Sequence, residues 1–552
     1  MLSSSFHPEH CPYPDKRGTY RAYSVFFLCL FCSSALILRL WVLAMYDSTA
    51  TEVLSGQYTR RATVTTHSGF VYDRKGQLLS HTQSGAVAIV HPGGIFDKNA
   101  VLEYLEPCLA LSEDAFLTKL TGNEPFTVTL HTLPTEKPPR GVYIYPRYQE
   151  NTGSFCRHLL GYHDIDGCGR DGLYKKYTSL LARTGTLSYR YQADAANVPL
   201  ADDAFSVLDS EYSDSYGLLT TIDKPLQEAL ETVCDECLDC GAALICSLDG
   251  AAGLSLRALV SRPVYKADAI ADSLNSDRGE LVNRAFSLYT PGSVFKTVIA
   301  CAALEKDRDY FDFSCECTGS ITVGGKVFHC HKRAGHGILT MEGAYAHSCN
   351  VYFIRLAQEL GLDTLVDMAQ KLGLGECRSL GGLYVPGARL PDRAMRESPA
   401  YLANVSIGQG DVLVTPVDLA ALYATAVTGM KRDVRVVRGI YDKGETVAFA
   451  DSLKRRVLSK ETVARLRRMM CACVAQGTGR AAQVAGMSIG GKTATAQSGQ
   501  YKNGEEVIHR IFAGVYPMEE PKYIVIILCD GNGDNTALPA KLFSRLLQVC
   551  GE

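Results

Sequence analysis

The sequence predicts a mixed α/β fold in which one sheet is closed from both ends of a long segment around an inserted helical block. Three observations point to it. Strand-like runs occur at 218–222, 242–248 and 254–260, helical runs fill the middle, and strand-like runs return at 487–490, 511–516 and 523–529 before a last amphipathic helix at 539–549. The chain has 552 residues, too many for one ordinary hydrophobic core, so more than one folded unit is expected. Apolar residues make up 46% and charged residues 21%, a globular balance. The formal net charge of -3 leaves no basic excess, which argues against a nucleic-acid partner.

Taken in order, residues 1–21 are polar and carry Lys16, Arg17 and Arg21, and 22–46 are apolar apart from Arg39 and a few small polar residues. That stretch matches the roughly 20 residues needed to cross a hydrocarbon core. Arg39 lies toward the far end, within snorkelling reach of the interface. Basic residues precede the span while Asp47 and Glu52 follow it, so the tail is expected in the cytoplasm and the rest outside. The competing reading is a cleaved signal peptide, but its apolar region would be unusually long and no small-residue cleavage site follows directly. A mixed region follows over 47–214, with strand-like runs at 62–66, 69–72 and 86–90 and a turn at Asp73-Arg74-Lys75-Gly76. The acidic, serine-containing stretch 201–214 reads as a linker into a unit spanning 215–552. There, Asp223-Lys224-Pro225 starts a helix reaching Cys237, and helices are expected at 294–305, 341–347, 351–360 and 417–427.

The 20 cysteines are scattered and do not form a small disulfide scaffold. Cys234, Cys237 and Cys240 have a metal-like spacing but close a predicted helix, and no metal is expected there. Cys315, Cys317 and Cys330 cluster near a glycine-rich turn, where a disulfide is one reading.

Three short stretches can carry chemistry. In Pro291-Gly292-Ser293-Val294-Phe295-Lys296-Thr297, a spacing of three puts Ser293 and Lys296 on one helical face. A serine hydroxyl needs a base within reach, and a lysine serves if burial or a nearby cation lowers its pKa. The same pattern also describes a capping serine and a solvated lysine. Ser348-Cys349-Asn350 falls between two helical runs and reads either as a helix cap or as a turn aiming a hydroxyl and an amide into a cleft. Gly491-Lys492-Thr493-Ala494-Thr495-Ala496 reads either as an edge strand or as a source of a second cation that would keep Lys296 neutral.

Ser-x-x-Lys, Ser-x-Asn and Lys-Thr-Ala, in that order, resemble the motif set of β-lactamases and penicillin-binding proteins. The chain resembles the class B penicillin-binding proteins, the monofunctional transpeptidases that cross-link peptidoglycan. Further matches are Thr221-Ile222-Asp223 with Leu226-Gln227, Asn283-Arg284-Ala285, Tyr289, His336-Gly337, Gly408-Gln409-Gly410 with Thr415-Pro416, Gly477-Thr478-Gly479 and 512–517. Residues 69–76, Leu160-Gly161-Tyr162 and Gly172-Leu173 resemble the N-terminal pedestal of that family. The resemblance implies a penicillin-binding transpeptidase fold: a central antiparallel sheet flanked by helices, an all-helical insertion, a mixed α/β pedestal and a single transmembrane helix.

It also implies that Ser293 is acylated by the penultimate D-Ala carbonyl of a stem peptide, with Lys296 as base. Ser348 and Asn350 would relay protons and hold the substrate amide. Lys492 and Thr493 would bind the terminal carboxylate with Thr495 close by, and the N–H groups of Ser293 and Thr495 would form the oxyanion hole. An amine of a second stem peptide would resolve the acyl-enzyme, β-lactams would trap Ser293, and no metal or organic cofactor would be needed. The implied partners are peptidoglycan stem peptides, the membrane and a glycosyltransferase of the elongation, division or sporulation machinery. Two positions depart from the pattern: Ala494 stands where the third motif has glycine, and Tyr174 follows Gly172-Leu173 in place of glutamate. The readings weighed against a transpeptidase are a D,D-carboxypeptidase or β-lactamase, and a cell-wall scaffold of the same fold without chemistry.

Overall fold

The structure, a computed structural model, describes residues 16–46, 59–194, 199, 205–214, 216–249, 253–450, 454–502, 504–531 and 535–551. Helix Lys16–Tyr46 contains the stretch Tyr20–Val42, which is long and apolar enough to cross a membrane and has no part buried. Most of the expected tail (1–15), the acidic residues after the span and residues 201–204 of the expected linker lie outside the described residues. What is described of that linker includes a strand, Ser206–Ser210.

The described chain forms two compact units that are interleaved along the sequence. One comprises residues 1–65, 86–145 and 187–208. Its core packs helices Lys98–Leu105 and Glu113–Thr121 on paired strands: Ala86, Ala88 and Val90 meet Val101, Leu105, Phe116 and Leu120, with Val128 and Leu130 from the partner strand.

The other unit takes residues 66–85, 146–186 and 209–552. After helix α1 (Lys224–Cys237) come β1 (Gly241–Asp249) and β2 (Gly253–Arg262). The helical block follows: α2 (Lys296–Lys306), α3 (Met341–Ala346), α4 (Asn350–Leu360) and α5 (Pro416–Thr428). The two-residue strand β3 (Val434–Arg435) and helix α6 (Lys460–Ala475) lead to β4 (Gly490–Lys502), β5 (Glu505–Tyr516), β6 (Tyr523–Asp530) and the last helix, α7 (Leu538–Gly551). The sheet order is β3-β2-β1-β6-β5-β4, antiparallel throughout except for β3 against β2. The sheet is thus closed by strands from both ends of the unit, as the sequence pattern predicts.

Side chains alternate across a strand, so each central strand feeds two cores. Ala243, Ile245, Val525 and Ile527 face α1 and α7, meeting Leu230, Val233, Phe543 and Leu546. Leu244, Cys246, Ile524 and Ile526 join the other core, which contains α2 and α5. Helix α5 is buried from Pro416 to Val427, and its ends are fixed locally. Thr415 and Asp418 form a reciprocal capping box, and Gly429 ends the helix at φ 73°. Helices Leu362–Lys371 and Pro399–Ser406 and the whole of α6 add to the helices expected from sequence.

Candidate active site

The first stretch does not begin as an α-helix. Gly292–Phe295 form a 3₁₀ turn and the α-helix starts at Lys296. In a 3₁₀ turn residues three apart eclipse, so the Ser293–Lys296 spacing still sets both residues on one side of the turn. Gly292 makes the turn possible. Its φ is 54°, a Cβ there would stand 2.9 Å from the Ala496 methyl and 3.4 Å from the Ala494 methyl, and its N–H donates to the Gly408 carbonyl at 2.9 Å. The Ser293 turn therefore rests on β4, and Ser293 itself is half-buried.

The second stretch lies between α3 and α4. Ser348 holds a left-handed backbone (φ 56°), and its N–H donates to the Tyr345 carbonyl at 3.2 Å. Lys296, fully buried, reaches this turn. Its Nζ donates to the Ser348 carbonyl and to Asn350 Oδ1, both at 2.8 Å, and stands 3.3 Å from Ser348 Oγ. The Asn350 amide is oriented by its own Nδ2, which donates to the His329 carbonyl at 3.0 Å. Burial, seconded by the charge of Lys492, brings the Lys296 pKa down to about 7. A neutral amine has two N–H groups and one lone pair. The two acceptor-only oxygens use both N–H groups, which leaves the lone pair for a hydroxyl.

The third stretch is the outermost strand. Lys492, Ala494 and Ala496 lie on its buried face, while Thr493 is half-buried and Thr495 exposed on the other. Lys492 Nζ donates to the Thr493 carbonyl at 3.0 Å and sits over the Tyr345 ring, and burial lowers its pKa. Thr493 shares a hydrogen bond of 2.5 Å with Thr478, whose loop is held by Thr478 N–H donating to the Ala346 carbonyl at 3.1 Å.

Beneath these groups lies a hydroxyl network that no motif announced. Thr297 Oγ1 lies 2.9 Å from the Tyr345 hydroxyl and 3.0 Å from that of Tyr423. Tyr345 thus touches both α2, through Thr297, and Lys492. Its signal in the sequence was slight, an aromatic three residues before Ser348.

The cysteine expectations fare differently. Cys315, Cys317 and Cys330 form no disulfide. Cys234 is buried and Cys237 exposed on the last turn of α1, and the described cysteines and histidines whose ligand atoms converge are others: Cys317, Cys330, His336 and Cys349.

A buried lysine joining a Ser-x-x-Lys turn to a Ser-x-Asn turn, beside a Lys-Thr-Ala strand, has close relatives. Residues 253–548 match the family model for the penicillin binding protein transpeptidase domain. The chain belongs to that family. Among curated proteins it is similar to the Bacillus subtilis (strain 168) stage V sporulation protein D, 27% identical over 87% of this chain and 76% of that one. It is likewise similar to the peptidoglycan D,D-transpeptidase MrdA of Acinetobacter baumannii, 26% identical over 86% and 79%. Among solved structures, penicillin binding protein 3 of Mycobacterium tuberculosis in its apo form superposes with a TM-score of 0.62, at 21% identity over 89% of this chain and 97% of that one. A peptidoglycan synthase complex whose structure concerns coordination of polymerization and crosslinking contains a chain matching at TM-score 0.65 and 24% identity, over 96% and 98%. The resemblance drawn from the motifs, and the mixed α/β transpeptidase fold it implied, therefore hold. The mycobacterial protein is also known as complexes with aztreonam and ampicillin.

Proposed function

We propose that this chain is a peptidoglycan D,D-transpeptidase that works through a Ser293 acyl-enzyme. The observation that carries the reading is the buried Lys296, its pKa brought down to about 7, whose Nζ donates to the Ser348 carbonyl and to Asn350 Oδ1. Its lone pair accepts the Ser293 hydroxyl proton as Oγ attacks the penultimate D-Ala carbonyl of a stem peptide. The tetrahedral oxyanion is received by the Ser293 and Thr495 N–H groups. Collapse expels the terminal D-Ala, whose nitrogen takes a proton relayed through Ser348. Lys492, Thr493 and the adjoining Thr478 hold the terminal carboxylate. The amine of a neighbouring stem peptide then attacks the ester and releases Ser293. A β-lactam enters as a mimic of D-Ala-D-Ala and stops at the acyl stage.

The apolar N-terminal helix fits a membrane anchor. The charge bias around it favours a cytoplasmic tail, with 47–214 as the pedestal of a catalytic domain at 215–552 outside the cell. A glycosyltransferase of the cell-wall machinery is the partner this reading assigns, in line with the synthase complex among the structural relatives.

The test uses the full chain purified in detergent and a fluorescent penicillin. Stable labelling of the wild type and none of Ser293→Ala is the expected result. Label retained in Ser293→Ala would end the proposal, and rapid release of hydrolysed penicillin would convert it into a β-lactamase.

A further inference from the structure

We propose that Cys317, Cys330, His336 and Cys349 bind one structural zinc ion, and that this ion fixes the Ser348-Cys349-Asn350 turn. The four ligand atoms all lie within 4.8 Å of one another. Cys317 Sγ and Cys330 Sγ are each 3.5 Å from His336 Nδ1, and Cys330 Sγ is 4.0 Å from Cys349 Sγ. Tetrahedral zinc, with Zn–S about 2.3 Å and Zn–N about 2.0–2.1 Å, gives edges of about 3.8 Å between sulfurs and about 3.5 Å between sulfur and nitrogen. Three of the six edges of the cluster come within about 0.2 Å of those values, and the other three are no longer than 4.8 Å. A disulfide between Cys330 and Cys349 would need the sulfurs at about 2.05 Å. Three thiolates and an imidazole, with no carboxylate, form a soft donor set that suits zinc, and four protein ligands leave no open coordination position.

The bland alternative is that these are ordinary buried thiols acting as small hydrophobes. The local backbone argues otherwise, because it is built to bring the ligands together. Cys317 lies in strand Cys315–Cys317, paired with Gly337–Leu339, and its carbonyl accepts the His336 N–H at 2.9 Å. Cys330 follows the hairpin strand Lys326–His329 and its N–H donates to the Gly319 carbonyl at 2.9 Å. Gly319 and Gly335 sit at positive φ where a Cβ would stand 2.0 Å from the Arg333 carbonyl oxygen and 2.2 Å from that of Cys317. Two tight loops thus wrap one point, and α3 and α4 deliver the fourth ligand to it.

That fourth ligand is the middle residue of the catalytic turn. A metal on Cys349 would hold the left-handed Ser348 on one side, and the His329 carbonyl next to Cys330 orients Asn350 on the other. Cys349 is therefore a positioning residue acting through its neighbours. This second part rests on the proposed function, whereas the metal site does not.

The experiment measures metal and acylation separately on the detergent-purified full chain. Elemental analysis should find about one zinc per chain in the wild type and in Cys315→Ser, whose thiol lies outside the cluster, and little in Cys330→Ser or His336→Ala. Cobalt replacement should give thiolate charge-transfer bands with the visible bands of a tetrahedral centre. Wild-type protein isolated from zinc-supplemented cells without stoichiometric zinc, or with a Cys330–Cys349 disulfide in its peptide map, would overturn the site. Stripping zinc with a chelator should slow penicillin acylation by up to about 100-fold, as displaced catalytic groups do, and zinc alone should restore it. Unchanged acylation in zinc-free protein would overturn the positioning role. Zinc-loaded protein that no penicillin labels would instead count against the transpeptidase reading and leave the metal site standing.

Discussion

Two turns of the active site share a backbone conformation but not a residue type. The Ser293 turn is entered through Gly292 at φ 54°, and the second turn passes through Ser348 at φ 56°. Glycine adopts that conformation without steric cost, whereas a serine there carries about 1–2 kcal/mol of strain. At Gly292 the need is for space, since β4 lies within 2.9 Å of where a side chain would begin. At Ser348 the proposed chemistry needs a hydroxyl, and Lys296 contacts both the carbonyl and the Oγ of that residue. Backbone strain at a functional site thus marks the position where chemistry overrules conformational preference.

The largest expected effect falls on the residue joining the two turns. Lys296→Met keeps the length of the side chain and removes the base, so penicillin acylation should fall about 10²- to 10⁴-fold with the fold intact by circular dichroism. In the wild type the acylation rate should climb as pH rises through about 7, because the lowered pKa makes the neutral amine the major form above that point. A rate already at its plateau at pH 5.5 would remove Lys296 as the base. Next comes Gly292→Ala, which meets both the positive φ and the Ala496 methyl and should slow acylation about 100-fold. Ser348→Gly and Ser348→Ala both delete the hydroxyl, but the glycine variant should be the more stable by about 1 kcal/mol in chemical denaturation. Equal stabilities would mean that Ser348 carries no strain, and the contrast between the turns would collapse. The smallest effect belongs to Ala494→Gly. Its methyl is accommodated because the facing residue is Gly292, and restoring glycine should change the acylation rate by under about threefold.

The motifs were legible because each needs a particular functional group at a fixed interval, and Ser293, Lys296, Ser348, Asn350 and Lys492 are such groups. The alternation of β1 and β6 and the apolar runs of α2 and α5 were readable for the same reason of strict geometry. Helix α6 was missed although Val463, Leu466, Met470 and Cys473 lie on its buried side. The arginines at 465, 467 and 468 break its apolar run, and their side chains reach the Arg308 and Val427 carbonyls and the Glu342 carboxylate only in the folded chain. The interleaving of the two compact units also left no local trace. Strand Phe70–Tyr72 pairs in parallel with Tyr216–Thr220, more than 140 positions away, and nothing in either run names the other. The thiol cluster was half visible: Cys317 and Cys330 drew notice as neighbours, but His336 and Cys349 join them only once α3 and α4 close the loop.

The position of β4 has one more consequence. Among the described residues no strand lies beyond it, so it is the border of the sheet, and the turn that carries Ser293 packs against it. Such a border welcomes any extended main chain as a guest strand, reading its amides and carbonyls with little regard for alternate side chains. Under the proposed function, selectivity would then come from what stands at the end of the guest, and a free carboxylate arriving near Lys492 would be an end of that kind.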